Sequence, residues 1–153
     1  MKQKTKKRIR IIGLILFIGY LLALTYFLFF AESYGRTVAD RQYSYNLMPF
    51  LEIRRFWQNR EVIGNFAVFI NLAGNVLAFV PFGFFLPMLN RHTRGIFRMA
   101  LFTFEFSFLV ETIQLVSRVG SFDVDDLTLN TLGGILGYLI FAFCDYVRRK
   151  VYG

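Results

Sequence analysis

The sequence predicts an all-α integral membrane protein with four transmembrane helices, both termini cytoplasmic, and a long extracellular loop between helices 1 and 2. Three observations carry this. The 153 residues are 56% hydrophobic and include 20 Phe, more apolar surface than a soluble domain of this length needs. The apolar residues gather in four runs of about 20, long enough to cross a hydrocarbon core of about 30 Å. The basic residues are spread unevenly over the two ends of those runs, and such a bias sets the orientation of a membrane protein.

The first run covers about 9–30, and Lys2, Lys4, Lys6, Lys7, Arg8 and Arg10 lead into it. A basic start followed by an apolar stretch resembles a signal peptide. This run is too long for one and lacks a small-x-small cleavage site, so it reads as an uncleaved anchor. The other runs cover about 66–89, 96–117 and 127–147. The N-terminal tail, the turn with Arg91, Arg94 and Arg98, and the C-terminal tail with Arg148, Arg149 and Lys150 together carry twelve basic residues. The opposite side carries six: Arg36, Arg41, Arg54, Arg55, Arg60 and Arg118. The excess places both termini in the cytoplasm and the segments 31–65 and 118–126 outside. The organisation is therefore a basic tail over 1–8, one membrane domain over 9–147 and a basic tail over 148–153. The net charge of +8 is explained by topology, which leaves nucleic acid without standing as a partner. A single cysteine, Cys144, excludes a disulfide framework and any cysteine-based metal site, and its expected role is packing.

The first outer connection carries Tyr43, Tyr45, Leu47, Met48, Phe50, Phe56 and Trp57 among charges, a composition suited to the membrane interface. Within it "FLEIRRFWQ" (50–58) reads as a short amphipathic helix beginning after Pro49. Inside the second run, Pro81 is expected to kink the helix and free a carbonyl.

The polar residues of the spans follow helical spacing. Asn71 and Asn75 are four apart, Glu111, Gln114 and Arg118 are three and four apart, and Asp126 and Asn130 are four apart. Gly133 and Gly137 continue that last stripe as a small-xxx-small pair, which lets a neighbouring helix approach closely. All three stripes fall in the outer half of the membrane. Charge facing lipid at mid-depth costs about 2.5–3.5 kcal/mol on insertion scales. Turning the three faces toward one another avoids that cost and forms an outward-opening polar pocket, rimmed by Asp123, Asp125 and Asp126. The bland alternatives are asparagines acting as packing glue, a Glu111–Arg118 ion pair, and Asp125 or Asp126 as helix N-terminal acids. Glu105, near mid-span and on another face from Glu111, reads as buried and protonated or as part of a deeper polar path.

Four blocks, "NLMPF" (46–50), "GNVLAFVPFGFFLP" (74–87), "ETIQ" (111–114) and "DVDDLTLNTLGGILG" (123–137), resemble in order the motifs of the VanZ-like family. The resemblance spans about 46–138. It implies a small membrane protein of Gram-positive-type bacteria, in its minimal form. The founding member is associated with teicoplanin resistance, a phenotype that names no reaction. The family's motif residues would fall here on Asn46, Pro49, Asn75, Pro81, Glu111, Gln114, Asp123, Asp126, Asn130, Gly133, Gly134 and Gly137. Arg118 and Asp125 look more variable and weigh less.

Three functions fit these readings. The first is a binding or shielding protein whose partners are membrane lipids, a lipid-linked cell-wall precursor or a lipoglycopeptide. The second is a membrane enzyme acting on a lipid or lipid-linked head group. Glu111, Asp123 and Asp126 are then the candidate catalytic residues and hard oxygen ligands suited to Mg²⁺ or Ca²⁺. The third is a small transporter subunit, prompted by Glu105. The sequence leaves the oligomeric state and the choice between binding and catalysis open.

Overall fold

In a computed structural model, described here over residues 3–31 and 43–152, most of the described residues are helical. In chain order they are α1 (Gln3–Tyr26), α2 (Leu51–Gln58), α3 (Arg60–Ile63), α4 (Asn65–Leu89), α5 (Ile96–Ser117) and α6 (Val124–Tyr152). A π-helical turn, Phe27–Ala31, extends α1, and a 3₁₀ turn, Arg91–Thr93, joins α4 to α5. Two short strands, β1 (Tyr45–Asn46) and β2 (Phe122–Asp123), pair in parallel with Asn46 opposite Asp123. Four of the helices are long and apolar enough to cross a membrane, over Lys7–Phe29, Leu72–Leu89, Ile96–Ser117 and Val124–Val151. The protein is thus of the all-α membrane class. The last helix starts and ends beyond its expected 127–147.

The central contact is α4 against α6, and glycine makes it possible. A Cβ at Gly133 would lie 2.1 Å from the Val76 carbonyl oxygen, and one at Gly137 would lie 2.0 Å from that of Val80. Backbone therefore meets backbone, as the small-xxx-small spacing anticipates. Gly134 turns the other way, with its Cβ position 2.1 Å from Thr103 Oγ1 of α5. Three helices thus converge on one glycine-lined seam of α6. Beside it, Phe82 of α4 stacks on Phe106 of α5 at 4.8 Å between centroids, and Phe17 of α1 and Met99 of α5 complete the buried cluster. Large apolar residues cover the outer faces, including Leu22, Leu77, Phe97 and Phe143. Such a surface suits lipid, which is as apolar as the side chains themselves.

The helix α4 continues unbroken through Pro81 and Pro87. Proline removes a backbone donor and loosens the preceding turn. Tyr20 of α1 donates its hydroxyl to the Ala78 carbonyl in that turn, at 2.7 Å. The carbonyl that Pro81 leaves without a helical donor is that of Leu77, one residue earlier, so Tyr20 adds a bond to α4 beside the proline and does not replace the one the proline removes.

Candidate functional site

The polar residues gather at the end of the bundle away from the chain termini. At the outermost level the side chains fasten the first connection to the bundle. Asn46 accepts a bond from Met48 N (3.0 Å), which closes a local turn, and donates Nδ2 to both oxygens of Asp123 at 3.3 Å. Asp123 Oδ1 also accepts from Asp125 N at 2.7 Å, which makes Asp123 the N-cap of α6. Its own N–H donates to Glu111 Oε2 of α5 at 3.1 Å. Burial raises the Asp123 pKa above the usual carboxylate range. The Asp125 N–H and Asn46 bonds oppose that shift, and the nearby Asp125 and Glu52 carboxylates add to it.

Asp125 serves a different helix. Its Oδ1 accepts the N–H of Phe50, and its Oδ2 accepts those of Glu52 (2.9 Å) and Ile53 (3.2 Å). These are the free donors at the N-terminus of α2, where a negative charge is also favoured by the helix dipole. Phe50 sits in the left-handed region with φ 64°. That conformation costs a non-glycine residue about 1–2 kcal/mol, and the bond to Asp125 helps to hold it. Asp125 is only 2% exposed. It anchors the amphipathic α2, whose Ile53 and Phe56 are half-buried while Phe50, Leu51 and Trp57 stay exposed. Gln114 completes this level by donating Nε2 to the Leu28 carbonyl of the π turn at 3.0 Å, which ties α5 to α1.

One turn further in lies a second level. Asn75 of α4 donates to Asp126 of α6, and Asn130 of α6 donates to Ser107 Oγ of α5 at 2.9 Å. Asp126 is half-buried, whereas Asn130 and Ser107 are buried. Asn130 Oδ1 and Thr103 Oγ1 meet no hydrogen-bond partner among the described residues. Buried polar atoms are nearly always satisfied by protein or water, so each of these atoms keeps hydrogen-bonding capacity to spare, the amide oxygen as an acceptor and the hydroxyl as donor or acceptor.

The polar faces of α4, α5 and α6 therefore do turn toward each other, and Asn46, Asn75, Glu111, Gln114, Asp123, Asp125, Asp126 and Asn130 gather at one end. Asn71 lies on α4, and its side chain falls outside the described residues. Several expectations are corrected. Arg118 does not share the Glu111 face. It ends α5 in the left-handed conformation (φ 57°), is exposed, and lays its guanidinium 4.3 Å from the Tyr43 ring centroid. Asp125 and Asp126 do lie as acids in the first turn of α6, but the side chain that caps α6 is Asp123, and Asp125 also caps α2. Asp123 and Asp125 thus form structural joints more than an open rim. Among the described residues no three His, Cys, Asp or Glu side chains are placed to hold a metal ion, so Glu111, Asp123 and Asp126 do not assemble as a ligand set. Glu105 is exposed on the flank of α5, not buried. Cys144 is exposed as well, not packed in the core.

Sequence reasoning missed Ser107 and Thr103, both fully buried. The signal was present. Stepping four residues inward from Glu111 gives Ser107 and then Thr103 on the same face of α5.

A four-helix membrane bundle with a loop latched by buried carboxylates at one end is the class this architecture defines. The model of the VanZ/LLP1 family matches residues 17–145, which is most of the chain, and the protein belongs to that family. Protein VanZ of Enterococcus faecium is 30% identical over 128 residues, covering 82% of this chain and 71% of that relative. No solved structure matches.

Proposed function

We propose that the chain is a non-enzymatic VanZ-type protein of the bacterial cell membrane. In this reading the latched end faces outward and engages a cell-surface component, either a lipid-linked cell-wall precursor or an inserted lipoglycopeptide, and so contributes to teicoplanin resistance. The observation that carries it is the latch. Asp123, Asp125, Glu111 and Gln114 commit hydrogen bonds to joining the loop and helices, so the groups presented beyond them are Tyr43, Tyr45, Leu47, Phe50 and Trp57. A rigidly held aromatic surface over a polar interior suits the recognition of an amphiphile. The unmatched Asn130 acceptor offers a point for a ligand's hydroxyl or amide donor.

Expression in a teicoplanin-sensitive host tests this. The wild type should raise the inhibitory concentration, and the double variant Phe50→Ser/Trp57→Ser, changed only at exposed rings, should lose most of that gain at equal membrane abundance. Envelope lipid composition should not change with either. An altered lipid profile that depends on the wild-type chain would overturn the binding reading.

A second reading, an enzyme on a lipid or lipid-linked head group, is favoured by one observation. Asp126 is half-buried beside Asn75, one turn from the buried Asn130, a placement suited to a general base. On this reading Glu111→Gln and Asp126→Asn abolish turnover with expression unchanged, and full activity in both removes it.

A further inference from the structure

The opposite end of the bundle holds a feature that the latch does not involve. A cleft of about 1030 Å³ opens where the start of α1, the α4–α5 turn and the end of α6 come together. Among the described residues, Lys7, Arg10, Arg91, Arg94, Arg148 and Arg149 line it, against a single carboxylate, Asp145. Asp145 is shared by two of those cations, pairing with Arg148 and, at 2.7 Å, with Arg149. One carboxylate cannot balance six cations, and like charges gathered this closely repel unless an anion joins them.

The cleft is also built, not a loose fringe of side chains. Arg94 is half-buried, donates Nε to the Pro87 carbonyl at 3.1 Å, and lies 5.2 Å from the ring centroid of buried Phe141. Its guanidinium is thus fixed while its other N–H donors remain for a ligand. Phe84, Met88 and Phe141 supply apolar lining beside the cations. An apolar wall next to a cationic one matches an amphiphile with an anionic head. Arginine forks match phosphate oxygens. Arg98 is a useful contrast: it belongs to the same end of the bundle but not to the lining, and its Nη1 bonds the His92 carbonyl at 3.3 Å.

We propose that this cleft is a binding site for an anionic phosphate group, which its apolar lining favours as the head group of an anionic glycerophospholipid. The purified full chain in non-ionic detergent tests it by thermal stability. Adding phosphatidylglycerol should raise the Tm by several degrees, adding phosphatidylcholine should not, and the rise should shrink with added salt. Arg10→Gln/Arg91→Gln, a change at two exposed residues, should weaken the phosphatidylglycerol effect at least about tenfold. Arg98→Gln should behave as wild type. If inorganic phosphate reproduces the shift and the lipid does not, the site stands and its ligand is a soluble phosphate. Equal effects of the two lipids with none from phosphate would overturn the proposal. So would an equal loss in Arg98→Gln, which would mean diffuse attraction to a charged surface. Should the double variant fail to accumulate, the contrast between lipids in the wild type decides the matter alone.

Discussion

Asp125 shows how one side chain can set the position of a distant segment. It accepts three backbone N–H groups from a loop more than 70 residues away in sequence. Removing it leaves those donors unpaired and releases Phe50 from its left-handed conformation. Asp125→Ala should therefore cost about 2–4 kcal/mol. The loss should appear as a lower Tm and as faster amide exchange confined first to residues 50–53. Asp125→Asn keeps one carbonyl oxygen and should fall between the two. Unchanged exchange at 50–53 in Asp125→Ala would show that α2 is held by its apolar face instead. The sequence made the acidic cluster conspicuous, but it could not apportion the acids. Asp123, Asp125 and Asp126 look alike on the page, yet one caps its own helix, one caps another and one bonds Asn75.

At the scale of elements, glycine spacing made a close approach to α6 legible, but that the approaching helix is α4 was decided by the structure. Two glycines separate structural necessity from tolerance. Gly137 meets the Val80 carbonyl and the Phe84 backbone nitrogen, groups that cannot shift as a flexible side chain would. Gly137→Val should force the helices apart and leave little monodisperse protein on size-exclusion chromatography in detergent. Gly74, on the same helix pair, has nothing within 4 Å of its Cβ position. Gly74→Ala should fold normally and gain about 0.5–1 kcal/mol from the helix interior. If both variants behave alike, the close packing of this seam is not what holds the bundle. On α5, the buried face was read only as far as Glu111 because Ser107 and Thr103 are small and neutral. Their role becomes visible when they face the seam of α6.

For the whole molecule, the two ends differ in kind. One end joins aromatic loop, buried carboxylates and amides; the other gathers cations around a cleft. The cations of the cleft belong to the segments that the basic bias of the sequence expects on the cytoplasmic side. Cys144 offers a direct check, since it is the only cysteine, is exposed, and lines the cleft. A membrane-impermeant maleimide should label it in inverted vesicles and leave it untouched in intact cells. Labelling in intact cells would reverse the orientation and with it the reading of the latched end as outward. The misjudgement of Cys144 as core packing has a simple cause. It lies near the end of an apolar run, but at that end of α6 it lines the open cleft and not the packed core.

The amino-acid sequence by itself determined the membrane class, the four helices, the family and the end of the bundle where polar groups collect. Those follow from run length, periodicity and motif order, all of which are local. Only the tertiary structure decided which acid caps which helix, that Arg118 turns away to Tyr43, and that Ser107 meets Asn130. It alone gathered cations from three separate segments around one cleft. These depend on contacts between residues far apart in the chain, where a hydrogen bond is set by distances of a few tenths of an ångström that no spacing rule encodes.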